Sequence, residues 1–298
     1  MTEPLTQPAP LRHLGPTTTL RALSLVRTGE IVPLNRSLDE PPLVDPPVGR
    51  PPLQHIARMH NNVRPRSDGS HVVVNDDVIT VAMQGTSHWD ALAHWGAIEP
   101  TDDHVFFGGR TMTETHPEFG AKTLGIDLIA GGVVTRGLVL DMVAFLAGDD
   151  ADYLPDGRDV TRRDVEAYLA HHQLTPEPGD AVVLFTGFEA RQRSGAFLRE
   201  AGQAIAPGFT LDTLDLWADT EVFALVSDNP SVEPIPMPEG RFHTVALKHL
   251  GIHLGELWAL EELVRRARDA GRYEFALISV PLNVRGAFGS PANAIAVL

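Results

Sequence analysis

The chain contains no cysteine. That single absence excludes disulfides, thiolate nucleophiles and cysteine-type zinc sites. Any metal must therefore be held by His, Asp, Glu or neutral oxygens. No apolar run reaches the 18 residues that a membrane-spanning helix needs. The opening stretch, MTEPLTQPAPLRHLGP, lacks the basic and apolar regions of a signal peptide. A cytoplasmic location is expected. Basic residues are few: 24 Lys and Arg stand against 39 Asp and Glu, for a net charge of −15. No Lys/Arg cluster is present to follow a nucleic-acid backbone, and the acidic balance disfavours anionic membranes. Neither a GxGxxG nor a P-loop pattern occurs, so nucleotide binding has no support. Internal repeats and low-complexity domains are also absent. The expected partner is a small-molecule substrate, with no nucleic acid and no membrane.

What is present is ordinary globular material: 298 residues, 43% hydrophobic and 21% charged, enough for one large core or two domains. Residues 1–16 are proline-rich and read as an arm. TTTLRALSLVRTGEIVPL reads as a helix followed by a strand, with Thr19 as a candidate cap and Gly29 as the stop. Residues 40–53 hold too many prolines for a helix or a central strand and read as an extended crossing loop. SDGSHVVVNDDVITVAMQG reads as a hairpin turning at Asn-Asp-Asp. GIDLIAGGVVTRGLVLDMVAFL is strand-like, with Gly131 and Gly132 marking a bend or bulge. TRRDVEAYLAHH is the clearest helix: Thr161 caps it, Asp164 stands at the reciprocal position, and His171 and His172 fall in the last turn. PGDAVVLFTGF is a buried strand. GFTLDTLDLWADTEVFALVSDNPSVEP is a helix and then a strand ending at Asp228. A helix runs from about Leu257, YEFALISVPLNVRG holds a late strand, and GSPANAIAVL gives a final short one. Strands recur with few long helices between them, which predicts a sheet- or barrel-centred α/β domain.

The densest chemistry is QGTSHWDALAHW, residues 84–95. It is entered from the β-branched run VITVAM. If that strand continues, Gln84, His88 and Asp90 share parity and point to one side. An imidazole and a carboxylate two residues apart make a compact metal anchor, and His94 lies a turn beyond. A buried hydrogen-bonded knot is the bland alternative. Trp89 and Trp95 flank the cluster as pocket wall or as core; the expectation is one of each. A second group, FHTVALKHLGIHLGELWALEEL, holds His243, His249, His253 and Glu256. His249 and His253 would share a face on a helix, but Gly251 and Gly255 weaken it, and spacing alone does not choose among the three histidines. SDNPSVEPIP offers Asp228 and Glu233 at a strand end, lining a cleft or serving Asn-Pro turn chemistry.

At these residues the chain resembles the metal-dependent cyclase family, which includes bacterial kynurenine formamidase. That family carries a His-x-Gly-Thr-His-x-Asp-x-Pro-x-His signature, and GTSHWDALAH keeps its last spacing. GGVVTRGLVLDM, PGDAVVLFTGF, SDNPSVEP, FHTVALKHLGIHLGE and GSPANAIAVL add ordered echoes from about residue 80 onward. The resemblance implies an α/β fold whose mixed sheet closes into a β-barrel-like core with surrounding helices. It implies an N-terminal arm and helix (1–60) packed on one catalytic domain (61–298), and a homo-oligomer, dimer or tetramer. By position it makes His88, Asp90, His243 and Glu256 metal ligands, and His94 the proton-transferring histidine. Two departures stand out: Gln84 replaces the first histidine and Leu92 the proline. Gln84 is then a metal ligand or a group that orients water. An amide oxygen is a neutral, harder donor than imidazole, which favours one divalent cation per chain, zinc or manganese.

The implied chemistry is hydrolysis of an amide, formamide or lactone by metal-activated water, with Trp89, Trp95 and Asp228 near the substrate. Two rivals follow from the same residues. His88-Trp89-Asp90 with a distant histidine also fits a non-haem iron oxygenase triad, although no arginine follows His243 before Arg265. A catalytically silent metal-binding member would explain Gln84, whereas His94 argues against it.

Overall fold

The computed structural model describes residues 10–40, 50–58, 63–98, 105–116, 120–196, 205–237 and 241–298. Residues 1–9 of the N-terminal arm and most of the proline-rich stretch lie outside that set.

Nine strands form one mixed sheet: β1 (Ile31–Pro33), β2 (His88–Asp90), β3 (Val133–Asp141), β4 (Ala181–Phe185), β5 (Ala224–Ser227), β6 (His253–Glu256), β7 (Glu274–Ser279), β8 (Gly289–Pro291) and β9 (Ala294–Val297). Their order is β1-β9-β7-β3-β4-β5-β6-β2-β8, and the sheet curls into a half-barrel with helices around it. Strands β3, β4, β5 and β6 run parallel. The rest pair antiparallel. Parallel strands need crossovers on their faces and so are covered on both sides. This is why β4, AVVLF, is apolar at every position and buried at every position. At Gly137 a side chain is excluded: a Cβ there would lie 2.2 Å from Cζ of Phe275, which sits directly opposite.

The helix Pro16–Leu23 lies against β3, and β1 joins the sheet edge through β9. Part of the 1–60 segment is therefore a strand of the main sheet. The helix Arg162–His172 carries the expected capping box between Thr161 and Asp164, with His171 and His172 in its last turn. Among the described residues no helix is long and apolar enough to cross a membrane.

Several expectations change: Thr19 lies inside the first helix, whose N-cap is Gly15, and the helix expected from about Leu257 begins at Glu261. The hairpin over 67–85 does not form: Asp76–Thr80 pairs with Gln54–Arg58, and His71–Val72 with Arg64–Pro65. An apolar β-branched run specifies a strand but not its partner, and pairing is settled by non-local contacts. The strand entering Gln84 ends at Thr80, and a turn over 83–87 precedes β2, so the parity argument across Gly85-Thr86 does not hold. The last segment makes two strands, not one. Asn293 takes a left-handed conformation (φ 45°) and bonds Val280 O at 3.0 Å, which breaks β8 from β9.

Candidate metal centre

The site starts from the two-residue period of a strand. On β2, His88 and Asp90 face one side and Trp89 the other. Trp89 turns into the core, edge-on to Trp258 at 4.8 Å, and donates from Nε1 to Ser279 Oγ at 2.8 Å. It is fully buried and does not wall the cavity. The antiparallel register sets Glu256 of β6 directly opposite His88. Ligand atoms of His88, Asp90 and Glu256 consequently lie within 4.8 Å of one another. His88 Nε2 is 3.4 Å from Asp90 Oδ1 and 3.3 Å from Glu256 Oε2. His88 Nδ1 donates to Thr86 O at 2.6 Å, which fixes the ring.

His243 arrives from a different element, the turn Arg241–His243 that runs into a π-helical segment, Thr244–Leu250. Its Nε2 donates to Glu256 Oε1 at 3.0 Å and its Nδ1 to Glu233 Oε1 at 2.5 Å. His94 stands at the rim, partly exposed, with Nε2 3.6 Å from Asp90 Oδ1. Its Nδ1 is 3.5 Å from Gln84 Nε2. Trp95 is half-buried, its ring 5.1 Å from that of His243, and Nε1 donates to Thr244 Oγ1 at 3.1 Å.

Electrostatics follow from burial and pairing. Burial works against a proton on His88, but the carboxylates of Asp90 and Glu256 outweigh it and raise its pKa to about 9. His243 behaves alike: burial is overcome by Glu233 and Glu256, and its pKa rises to about 10. Burial would raise Asp90, yet His94 and His88 hold it well below the usual carboxylate range. Burial and the charge of Asp90 oppose ionisation of Glu256, while His243 and His88 win and lower it.

The fit to a metal can be judged from unpaired atoms. His88 Nε2 and both oxygens of Asp90 are buried without a hydrogen-bond partner. Orphaned buried polar atoms are rare and call for something that pairs them. One imidazole and two carboxylates converging on one point are a donor set suited to a divalent cation, and the residues fit it. His94 also lines a cavity of about 460 Å3, with Gln84, Val105, Phe106, Met112 and Phe288 among its other walls.

Other candidates are placed elsewhere. Asp228 accepts from Thr186 N (2.9 Å), Thr186 Oγ1 (2.9 Å) and Phe188 N (2.8 Å) and so ties down the loop after β4. Burial raises its pKa to about 6. It does not line that cavity. His249 is exposed. His253 is buried against Phe223, with ring centroids 5.1 Å apart, and burial lowers its pKa to about 4. Glu233 orients His243, and in the sequence it stands out only as a second carboxylate after Asp228. Nothing local to SDNPSVEP says which of the two carboxylates turns toward the histidines.

Residues 19–234 match the Cyclase family model, described as "Putative cyclase". No curated protein matches. A solved structure described as a novel cyclase shares 29% identity over 99% of this chain and 97% of that chain, with a TM-score of 0.83. An isatin hydrolase bound to the product analogue thioisatinate shares 20% identity over 90% and 92%, with a TM-score of 0.60. A "predicted metal-dependent hydrolase" from Bacillus stearothermophilus shares 16% over 90% and 97%, with a TM-score of 0.52. The family model covers well over half of the sequence, and the chain belongs to the cyclase family.

Proposed function

We propose that this protein is a metal-dependent hydrolase that cleaves an amide, formamide or lactone bond in a small molecule. The observation that carries the reading is the buried convergence of His88, Asp90 and Glu256 with atoms left unpaired, next to His94, which lines an open cavity. Asp90 and Glu256 supply the charge to hold a single divalent cation, zinc or manganese, and His88 and His243 the imidazoles. Once bound, the cation supplies Lewis acidity toward a carbonyl oxygen and lowers the pKa of water. The remaining work belongs to the chain. Glu233 holds His243 through Nδ1 and so sets the direction of its Nε2. His94 faces both the cavity and Asp90. It takes a proton from the attacking water at Nε2 and returns it to the leaving nitrogen or oxygen. One water is consumed, the C–N or C–O bond breaks, and an acid and an amine or alcohol result. Val105, Phe106 and Phe288 offer an apolar wall to the body of the substrate. Two acidic ligands beside the imidazoles favour this reading over a two-histidine, one-carboxylate iron centre.

The test is elemental analysis of the purified protein, then chelation and restoration with zinc or manganese while aryl formamides, cyclic amides and lactones are screened. Metal-dependent turnover is expected. A protein that binds neither ion, or turns over none of these classes with either, would refute the proposal.

A further inference from the structure

Gln84 stands four residues before His88, where the family signature carries a histidine. Its side chain is directed at His94: Nε2 lies 3.5 Å from His94 Nδ1. Two features hold it there. Arg50 Nη1 donates to the backbone oxygen of Gln84 at 2.6 Å and anchors its peptide. Gly289 backs the amide, and a Cβ at that position would lie 2.4 Å from Gln84 Nε2. Only bare backbone leaves room for the amide.

A neutral imidazole carries its proton on one nitrogen and a lone pair on the other. Transfer at Nε2, the nitrogen facing Asp90, needs Nε2 bare and Nδ1 protonated. An Nδ1–H directed at Gln84 is then held only if the group it meets there is an acceptor. The terminal torsion of a glutamine is two-fold, and a half-turn exchanges its amide nitrogen and oxygen in one position. The geometry points to Gln84 as the positioning residue of His94: its Oε1 accepts Nδ1–H, fixes the ring and leaves Nε2 free to take a proton. This inference rests on the proposed role of His94. It gives the departure from the family signature a function other than metal binding.

The experiment reads the tautomer directly. Long-range nitrogen–proton NMR on the 15N-labelled full-length protein, metal-free and zinc-loaded, is recorded at alkaline pH without substrate, with His94→Gln assigning the signals. The wild type is expected to show His94 protonated at Nδ1 and bare at Nε2. Gln84→Leu keeps the bulk but removes the acceptor, so the two tautomers should average. Gln84→Glu keeps an acceptor and should restore the Nδ1–H form. Metal content should be equal in all three. On any substrate the wild type turns over, Gln84→Leu should lower kcat about tenfold, the equivalent of one orienting hydrogen bond. Gln84→Glu should recover the rate. An Nε2–H tautomer in the wild type, or the same tautomer in Gln84→Leu, overturns the inference. Loss of metal in Gln84→Leu with the tautomer unchanged overturns it too, by making Gln84 a ligand. A wild type that hydrolyses nothing defeats the hydrolase reading alone, and the tautomer comparison still decides this one.

Discussion

Two buried clusters of charge lie in the same sheet and are finished differently. Around β3 and β4, Arg136 and Asp180 form a closed network. Arg136 Nε reaches both Asp180 oxygens at 3.1 Å, and Nη2 reaches Asp180 Oδ2 at 2.5 Å and Thr175 O at 2.8 Å. Nη1 reaches Glu274 Oε1 at 2.8 Å. Arg21 donates to Asp180 Oδ1 at 2.7 Å and the Glu177 amide to Oδ2 at 2.8 Å. Around β2 and β6, burial is just as deep, yet His88 Nε2 and both Asp90 oxygens have no hydrogen-bond partner. A guanidinium fork can satisfy a carboxylate completely. An imidazole edge and two carboxylates at 3.3–3.4 Å do not satisfy each other. In the first cluster both oxygens of the buried carboxylate are paired without a ligand, and the second leaves donor atoms aimed at a common point.

The comparison breaks most visibly at Asp90. Asp90→Ala should abolish both the bound cation and turnover, because it removes a charged ligand; full metal occupancy measured by elemental analysis would contradict the assignment. His94→Ala should keep the metal and lower kcat by about two to four orders of magnitude, as for a removed general base. Metal loss equal to that of Asp90→Ala would instead make His94 a ligand. In the closed network, Arg136→Ala should cost about 3 kcal/mol of stability, the usual result of stranding a buried carboxylate. Chemical denaturation would measure it, and the folded fraction should still bind metal in full.

The smallest effect belongs to a partly exposed pair outside both clusters. Arg158, first, and then Thr161 hold the Asp164 carboxyl down at about 2, against 3.8 for the free side chain. A folded pKa below the unfolded one adds stability that is present above about pH 4 and lost as the pH falls through 2. Asp164→Asn should remove that contribution, so that denaturation midpoints of wild type and variant differ near neutrality and converge in acid. A constant difference at every pH would show that the capping geometry, not the charge, is what matters.

Legibility in the sequence was uneven for physical reasons. The helix at Arg162–His172 could be read because its cap, periodicity and terminal charges are all local. The strand Ala181–Phe185 could be read because a strand covered on both faces is apolar throughout. The hairpin expected around Asn75 does not form because an apolar run specifies a strand and not its partner. At the site, His88 and Asp90 were visible as a pair, since two residues of strand put both side chains on one face. By itself, then, the sequence determined the elements with local signals, the His-x-Asp anchor and the absence of any thiolate ligand. Only the tertiary structure decided the rest. The β2–β6 register set Glu256 against His88, and the helical turn carried His243, with Glu233 behind it, onto the same carboxylate. The absence of a side chain at Gly289 leaves room for the Gln84 amide beside His94. Each of these contacts joins positions that are distant in sequence or separated by a turn, and the free energy that selects them comes from burying the whole sheet, which no short window of residues contains.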